Sequence, residues 1–434
     1  MGYRMSGRDF ALAELDARRL PRWPAKALKR IRLRPPADPR DLALSEQLVV
    51  GVVKNLLLLQ HHIEHFAGKR LGQIDPLLQK ILAIGLYQLE FLDRIPASAA
   101  VNEAVAQAKR FGRSRGAGFV NAILRNATRQ GPPPLPDEAS DPRRFAQIAL
   151  SHPPELFDKL AQLLGTQEAL AFCRHDNCEP PTLVRLFDGV DVGAVQRPEV
   201  HLTPHEQRGM FAVTGATRAI LADWAANGLA QAQDATAAAV VDQMELTQGQ
   251  RVLDRCAGRG TKTLQMVQRM GSTGLIVAVD ASRSRCRALD QLLDRRGIEN
   301  VQTYCAAELS GIALRLPGAF DRILVDVPCS NSGVLARRPE ARYAQDARRL
   351  ASLGKLQRQI LDDTAAWLAA GGLLLYSTCS IWPEENQEQI EQFLEKHQEF
   401  ALADQCTILP SFPDGNPARY RDGGYVARLG KSPG

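Results

Sequence analysis

The sequence predicts an α/β protein in which a mostly parallel sheet, with helices on both faces, follows an all-α domain. From Arg251 onward, short apolar runs that end in an acidic or polar residue alternate with helical stretches, which is the pattern of such a sheet. Residues 41–130 instead carry apolar residues at three- and four-residue intervals, which indicates helices. With 434 residues, the chain is also too long for one compact core.

These two patterns define the expected elements. In the N-terminal half, helices are expected over Leu42–Leu59, Pro76–Phe91, Val101–Phe111, Phe119–Ala127 and Pro154–Leu164. In the C-terminal half, strands are expected over Arg251–Asp254, Leu275–Asp280, Val301–Tyr304, Arg322–Asp326 and Leu373–Thr378. The helices between those strands are expected over Lys262–Met270, Ser284–Arg296 and Asp346–Ala369. Ligands of such sheets bind beyond the carboxyl ends of the strands, so the residues at these ends are the candidates for a site.

Composition divides the chain into five segments. The clearest boundary is a proline-rich linker at residues 131–142. It follows the predicted helical domain, residues 41–130, and precedes a connecting subdomain, residues 143–240. Residues 241–434 form the predicted catalytic domain, and residues 1–40 form a basic N-terminal extension.

Positive charge is concentrated in the N-terminal half of a chain whose net charge is +6. Residues 1–40 contain 11 Lys and Arg against four acids. A second basic stretch, without an acid, contains Lys109, Arg110, Arg113, Arg115, Arg125 and Arg129. One such cluster is more often only a solvated face, but two clusters in the same half favour contact with the phosphate backbone of a nucleic acid.

The cysteines and histidines predict no metal site. Eight cysteines are scattered without a CxxC pair or a Cys/His cluster of zinc-binding spacing. His61 and His65 are four residues apart on a predicted helix, but no acidic third ligand accompanies them.

The sequence predicts no contact with a membrane, because no apolar run approaches the length of a membrane span. Arg4 and Arg8 are not followed by an apolar segment of the secretory type, so the expected location is the cytoplasm. In that reducing compartment the cysteines are thiols, and most of them should be small buried apolar residues.

A glycine-containing loop follows the first predicted strand of the sheet. Val252-Leu253-Asp254 leads into Cys256-Ala257-Gly258-Arg259-Gly260-Thr261-Lys262, and such a turn lets the backbone approach a nucleoside ligand closely. Asp280 ends the second strand roughly 20 residues past the turn, where a carboxylate can accept hydrogen bonds from ribose hydroxyls. The pair predicts a nucleoside-bearing cofactor, either a dinucleotide or S-adenosylmethionine.

Two cysteines at the ends of later strands decide between these cofactors. Cys329 follows the strand that ends at Asp326, and Cys379 ends another strand, so both thiols should face the ligand crevice. Taken alone, either cysteine is more often a buried thiol than a nucleophile. A dehydrogenase has no evident use for the pair. Methylation of cytosine at carbon 5 has one, because that carbon becomes nucleophilic only after a thiolate adds to carbon 6. Asp326 could then contact the cytosine edge and stabilise the protonated adduct.

Three short motifs around these cysteines resemble those of a known family. Asp-x-Pro-Cys-Ser-x-x-Gly (326–333), Tyr-Ser-Thr-Cys-Ser (376–380) and Pro-Glu-Glu-Asn (383–386) are similar to motifs of the RNA 5-methylcytosine methyltransferases of the RsmB/Fmu (Sun) type. The resemblance implies a Rossmann-like domain that uses S-adenosylmethionine, with Cys379 as the nucleophile and Cys329 assisting release of the product. The family's cofactor positions correspond to Cys256, Ala257, Gly258, Arg259, Gly260, Thr261, Lys262, Asp280 and Asp326.

The N-terminal half is similar to the NusB-type helical RNA-binding domain that precedes the catalytic part of bacterial small-subunit rRNA enzymes. The similarity lies in Tyr87-Gln88-Leu89, Arg94-Ile95-Pro96, 101–105 and 119–125. It implies methylation of carbon 5 of a cytosine in 16S ribosomal RNA through a covalent adduct between the cysteine and carbon 6. The expected partner is unassembled small-subunit rRNA, and we expect a monomer.

Two departures from the family's pattern leave other functions open. The family's loop usually reads Cys-Ala-Ala-Pro-Gly-Gly-Lys-Thr, and Gly258, Arg259 and Thr261 replace its alanine, proline and glycine here. Where the family has an aspartate for the adenine ring, this chain has alanine, and Glu308 follows one or two positions later. One alternative is therefore a non-catalytic RNA-binding or ribosome-assembly protein with a decayed cofactor site, although such a protein needs neither cysteine. Independently of these departures, the same chemistry on transfer RNA or another RNA is a second alternative, because the motifs do not encode the base-pairing context of the target.

Overall fold

The computed structural model describes residues 5–18, 26–28, 35–271, 273–308 and 319–433. Contacts between residues divide the chain into two units. The helical unit comprises Met1–Cys178 with Arg338–Asp346, and the sheet unit comprises Glu179–Arg337 with Ala347–Gly434. The boundary after Cys178 therefore falls inside the segment 143–240, for which the sequence predicted a connecting subdomain.

The helical unit is built from amphipathic helices around one apolar core. Asp38, Asp75 and Asp141 each precede a proline and accept a hydrogen bond from a backbone N–H of the following helix, which fixes three helix starts. Leu77 and Ile81 of the fourth helix are fully buried in the core. The helices that the structure describes here are α1 (Gly7–Ala17), α2 (Pro39–Lys54), α3 (Leu56–Ala67), α4 (Pro76–Phe91), α5 (Ala97–Arg110), α6 (Ala117–Gln130), α7 (Pro142–Ile148), α8 (Pro154–Leu164) and α9 (Thr166–Asn177).

The apolar run Leu42–Leu59 contributes to two helices, so the single helix predicted there is wrong. α2 ends at Lys54, α3 begins at Leu56, and the two are bent by 80°. The backbone leaves the helical conformation at Asn55 (φ −106°, ψ 22°), whose side-chain amide donates to the carbonyl of Gly51 and shares it with the backbone N–H of the same residue. In the described ranges no single helix is long and apolar enough to cross a membrane, whereas this bent pair passes the same test on length and composition alone.

Part of the predicted basic surface is used inside the helical unit. Arg110 forms an ion pair with Asp9 of α1, and Arg113 forms one with Asp75, with N–O distances of 2.6 and 2.8 Å. The remaining basic residues of that stretch have exposed side chains: Lys109, Arg115, Arg125 and Arg129. Most of the basic residues predicted in 1–40 lie outside the described residues. Of the basic stretch 109–129, two of the six basic side chains are therefore engaged in ion pairs within the unit.

The sheet unit begins with a small antiparallel sheet that the sequence patterns did not predict. Its strands pair in the order β2-β3-β1-β4, and Trp224 is fully buried against them together with Val184 and Val213. The strands are short and carry little alternation, which explains why the pattern was missed. The elements are β1 (Thr182–Leu186), β2 (His201–Pro204), β3 (Met210–Thr214), α10 (Arg218–Ala226) and β4 (Ala230–Ala232).

The large sheet has the described strands in the order β10-β11-β9-β8-β5-β6-β7. β5 to β9 are mutually parallel, whereas β11 and β10 are antiparallel additions beside β9. The strands are β5 (Arg251–Asp254), β6 (Leu275–Asp280), β7 (Val301–Cys305), β8 (Phe320–Asp326), β9 (Leu368–Thr378), β10 (Phe400–Ile408) and β11 (Gly424–Lys431). The predicted mostly parallel sheet is confirmed.

Helices cover both faces of this sheet. One apolar core packs α14 and α15 against it, and a second packs α11 and α12 against the other strand residues. The helices are α11 (Ala235–Asp242), α12 (Thr261–Met270), α13 (Arg283–Arg295), α14 (Ala347–Ala365) and α15 (Gln387–Lys396). α14 ends at Ala365 rather than at the predicted Ala369, because the chain has already entered β9 at Leu368. The chain order reverses between β5 and β8, which makes the carboxyl ends of these strands the expected place for a ligand.

Candidate active site

The loop after β5 forms the predicted glycine turn. Gly258 and Gly260 have φ angles of 62° and 86°, a left-handed conformation that residues with a side chain adopt only at a cost. A Cβ on Gly260 would lie 2.3 Å from Cδ1 of Leu289, so the turn is tightly packed at that position. A Cβ on Gly258 would meet nothing within 4 Å, so the backbone there borders open space. The turn therefore forms despite the altered residues.

Asp280, at the end of β6, is joined directly to this turn. One carboxylate oxygen accepts a hydrogen bond from the backbone N–H of Gly258 at 3.0 Å, and the other accepts from the N–H of Ser282 at 2.8 Å. The turn and Asp280 thus form one cradle, which we call the cofactor cradle. Its open glycine backbone and its strand-end carboxylate fit a nucleoside, because the first admits the ligand closely and the second accepts from ribose hydroxyls.

Arg259 and Glu308 are two residues that accompany this chain's departures from the family's cofactor motifs. Arg259 follows Gly258, and its side chain is exposed. Glu308 folds back on its own strand end, where its carboxylate accepts a hydrogen bond from the backbone N–H of Cys305 at 2.9 Å. Glu308 therefore helps to fix the turn after β7, a role that needs no ligand.

Asp326, at the end of β8, is held by two donors. Nζ of Lys262 lies 2.5 Å from one carboxylate oxygen, and the hydroxyl of Ser377 on β9 lies 2.6 Å from the other. Burial, the largest single influence, lowers the pKa of Lys262, but the charge of Asp326, its hydrogen bond and the charge of Asp254 together raise the pKa above its ordinary value. The structure thus brings a residue of the predicted cofactor loop, Lys262, to the predicted catalytic aspartate.

The two predicted thiols meet at neighbouring strand ends. Sγ of Cys329 lies 3.1 Å from Sγ of Cys379. Sγ of Cys379 also lies 3.3 Å from the side-chain oxygen of Asn331, whose amide donates to the carbonyl of Cys329 at 3.1 Å. Asn331 adopts φ 61°, a conformation that asparagine tolerates better than most residues. Sequence analysis did not single out Asn331, which helps to fold the loop around both sulfur atoms.

The two thiols of the pair have different environments. The hydrogen bond with Cys379, burial, and repulsion by Cys379 and Glu385 raise the pKa of Cys329 well above its ordinary value. Cys329 is therefore a neutral thiol near pH 7 and can donate its proton towards Cys379, whose side chain is only half-buried. In the glycine loop, burial raises the pKa of Cys256 to about 12, so this thiol is neutral near pH 7.

Asp254 is a second residue that sequence analysis did not single out. Its side chain is buried at the end of β5, and this burial raises its pKa to about 7 even though a hydrogen bond from Thr263 opposes the shift. One carboxyl oxygen accepts from the Thr263 hydroxyl at 2.7 Å, and the other has no partner among the residues that the structure describes. Its position at a strand end was the signal that could have found it.

No cluster of three or more His, Cys, Asp or Glu side chains suited to a metal ion occurs in the part of the chain that the structure describes. His61 and His65, the pair considered from the sequence, belong to α3.

The fold and the cradle define an S-adenosylmethionine-dependent methyltransferase, and known proteins agree. The 16S rRNA methyltransferase RsmB/F family matches residues 241–411, and the NusB family matches residues 12–129. Over 99% of its length the chain is 31% identical to a probable ribosomal RNA small subunit methyltransferase B from Synechocystis, of which it covers 100%. It is also 31% identical, over 90% of its length, to 89% of the ribosomal RNA small subunit methyltransferase B of Pseudomonas syringae pv. tomato. The chain belongs to the RsmB/F family of 16S rRNA methyltransferases and is an RNA methyltransferase.

A solved structure has the same fold over most of the chain. The crystal structure of PH0851 matches with a TM-score of 0.74 over 91% of each chain, at 23% identity. At that identity the match supports the fold alone.

Proposed function

We propose that this enzyme methylates carbon 5 of a cytosine in small-subunit ribosomal RNA, with Cys379 as the nucleophile and Cys329 acting in product release. The observation that carries the proposal is the distance of 3.1 Å between the two sulfur atoms at adjacent strand ends. An acceptor atom that is already nucleophilic takes the methyl group without help from a thiol. Carbon 5 of cytosine becomes nucleophilic only after a thiolate adds to carbon 6.

The proposed reaction uses the two thiols in sequence. The Cys379 thiolate adds to carbon 6, and the electron pair of the 5,6 double bond moves to carbon 5, which takes up the methyl group. S-adenosylmethionine, which Gly258 and Asp280 would hold, supplies that methyl group as an electrophile and leaves as S-adenosylhomocysteine. A base then removes the proton from carbon 5, and the re-forming double bond expels the Cys379 thiolate. The thiol of Cys329 lies beside the sulfur atom that is expelled, towards which it can donate its proton. This position supports the assignment of Cys329 to the expulsion of the Cys379 thiolate.

Asp326 is the proposed contact for the cytosine. Its carboxylate is fixed by Lys262 and Ser377, and its side chain is 28% exposed, so it is both oriented and accessible. Addition of the thiolate to carbon 6 puts negative charge into the ring, which protonation at N3 neutralises, and a carboxylate beside that N–H accepts its hydrogen bond and stabilises the protonated adduct.

The helical unit supplies the proposed contacts with the RNA. The exposed basic residues of the helical unit, among them Lys109, Arg115 and Arg125, are candidates for phosphate contacts. We further propose that the enzyme acts in the cytoplasm, as a monomer, on rRNA that is not yet assembled.

Bisulfite sequencing of ribosomal and transfer RNA from cells with and without the gene would identify the substrate. A missing methyl group in transfer RNA but not in 16S rRNA would contradict the proposed substrate.

A trapping experiment tests the roles of the thiols. The Cys329→Ala variant, given RNA and cofactor, should accumulate a covalent protein–RNA adduct that survives a denaturing gel, because the release step fails. The Cys379→Ala variant should form no adduct and no 5-methylcytosine. Cys406→Ala, a change of an exposed cysteine on β10, is the matched control and should behave like the unmodified enzyme. Full turnover in both site variants would refute the assignment.

A further inference from the structure

A fully buried carboxylate joins the two loops that carry the site cysteines. Glu385 belongs to the Pro-Glu-Glu-Asn motif, and its side chain has no exposed surface. One oxygen accepts from the backbone N–H of Ser330 and from the amide of Gln357, both at 2.9 Å. The other oxygen accepts from the hydroxyls of Ser330 and Ser380, at 2.5 and 2.6 Å. Four donors thus converge on the two oxygen atoms of this one side chain.

The two serines are the immediate neighbours of the two thiols. Ser330 follows Cys329, and Ser380 follows Cys379. We propose that Glu385 is the positioning residue that sets the separation of the two sulfur atoms, an inference that rests on the roles proposed above for both cysteines. Glu385 is not a catalytic residue, because its oxygen atoms are occupied by protein donors and have no exposed surface.

Further hydrogen bonds connect this carboxylate to the scaffold. The amide of Gln357, on α14, donates both to Glu385 and to the carbonyl of Pro328 at 3.0 Å. The hydroxyl of Ser332 lies 2.9 Å from that of Ser380 and accepts from the N–H of Ile381 at 3.0 Å. A buried charge is costly unless it is fully hydrogen-bonded, and here its partners lie on both loops and on a helix. Its removal should therefore release both loops together.

Three substitutions of Glu385 separate the effect of side-chain length from the effect of charge. Glu385→Gln keeps the length: its oxygen can accept from the two N–H donors, and its amide nitrogen then faces two hydroxyls, which can turn and accept. Glu385→Asp keeps the charge but is one methylene too short to contact both loops. Glu385→Ala loses both. If Glu385 positions the thiols, the Glu385→Gln variant should largely retain thiol linking and turnover. The Glu385→Asp and Glu385→Ala variants should lose both.

The separation of the thiols can be read directly in the full-length protein. Diamide oxidises two adjacent thiols to a disulfide and is itself reduced to the hydrazine, taking up the two protons and two electrons. The rate at which the linked Cys329–Cys379 peptide appears in mass spectrometry thus reports how close the sulfur atoms are. We expect Glu385→Gln to link within a few-fold of the unmodified rate, and Asp and Ala at least roughly tenfold more slowly, because disulfide geometry is narrow. Glu388→Ala, at an exposed position three residues on, is the control.

Turnover gives the second readout. A displacement of the order of 1 Å costs about 100-fold in rate, so kcat should fall about that far in the Asp and Ala variants. The KM for S-adenosylmethionine should stay unchanged, because the cofactor cradle lies on β5 and β6. Rescue by Asp but not by Gln, or unmodified linking and turnover in Ala, would overturn the proposal. If Ala does not fold, the Gln and Asp pair still decides.

The outcomes also separate this inference from the proposed function. If Cys329→Ala with native Glu385 traps no RNA, the proposed function fails, and the linking assay still decides whether Glu385 positions the thiols. If Cys329→Ala traps RNA but linking and kcat are insensitive to residue 385, the inference about Glu385 fails and the proposed function stands.

Discussion

The cofactor cradle and the thiol loops are two neighbouring parts of one site that are built by opposite means. The cradle uses backbone: Gly258 and Gly260 adopt left-handed conformations, and Arg259 between them is exposed. The thiol loops use buried polar side chains, with both loops hydrogen-bonded to Glu385 and with Sγ of Cys379 in contact with Asn331. A ligand can be held by a backbone whose side chains vary, whereas a separation between two sulfur atoms depends on particular side chains.

This contrast explains where the chain departs from its family's motifs. The replacements at Gly258 and Arg259 fall where side chains point to open space or solvent, so the turn survives them. The motifs around Cys329 and Cys379 are intact, and their polar atoms are engaged with one another. Substitutions in the two parts should therefore have unequal effects.

Among variants that leave both cysteines and Glu385 in place, the largest loss of rate is expected for Asp326→Ala, which removes the carboxylate that contacts Lys262 of the cofactor loop. Lys262, whose side chain is only 16% exposed, would lose its partner, and stability should fall by about 1–3 kcal/mol. The rate should fall by about 100- to 1,000-fold, because the protonated adduct would lose its stabilising group. Single-turnover methylation and urea unfolding measure the two losses. Asp290→Ala, at an exposed position on α13, should change neither. A fully active Asp326→Ala enzyme would refute the proposed contact.

The two glycines of the cradle provide a matched pair. Gly260→Ala should cost about 2–5 kcal/mol, because the left-handed conformation and the close approach to Leu289 both oppose a Cβ. Gly258→Ala should cost only about 1–2 kcal/mol, because it meets the conformational cost alone. Chemical denaturation gives the difference, and isothermal titration with S-adenosylmethionine gives the affinities. Equal losses of stability would show that packing against Leu289 contributes nothing.

Asp254 makes the unfolding free energy depend on pH. An unfolded aspartate ionises near pH 3.9, whereas burial raises the pKa of folded Asp254 to about 7. Between those values the folded protein holds a proton that the unfolded chain has released, so this group's contribution falls as pH rises, by at most about 1.4 kcal/mol per pH unit. Above pH 7 the contribution of Asp254 to the free energy of unfolding no longer changes with pH, because the carboxyl group is ionised in both states.

The Asp254→Asn variant isolates this contribution. Its stability relative to the unmodified protein should improve steadily from pH 4 to pH 7, as measured by urea unfolding at each pH. Asp290→Asn, an exposed change, is the control and should run parallel to the unmodified protein. Parallel curves for Asp254→Asn as well would mean that the buried carboxyl group has an ordinary pKa.

The smallest effect is expected for Arg259→Ala. Its exposed side chain contributes little to packing, so stability should stay within about 0.5 kcal/mol. If the guanidinium contacts the methionine carboxylate, cofactor affinity should fall by no more than about tenfold, the value of one hydrogen bond. Titration of the cofactor decides this, and a loss of a hundredfold or more would place Arg259 among the main binding groups.

Much of the fold was predictable because it depends on local patterns. β5, β6 and α4 have the predicted bounds. Their signals are the spacing of apolar residues and the polar residue that ends a strand, and both can be read from neighbouring positions in the sequence. The break at Asn55 and the short strands of the small sheet were missed. Both depend on contacts that no periodicity records, such as the hydrogen bonds from Asn55 to Gly51.

The sequence by itself determined which residues end the parallel strands, and hence that Asp280, Asp326, Cys329 and Cys379 lie at the same edge of the sheet. Only the tertiary structure decided how they are held. Lys262 reaches Asp326 across 64 positions, and Glu385 reaches Ser330 across 55. Spacing along a chain carries no information about such pairs, because they form only after separate strands and helices have packed side by side.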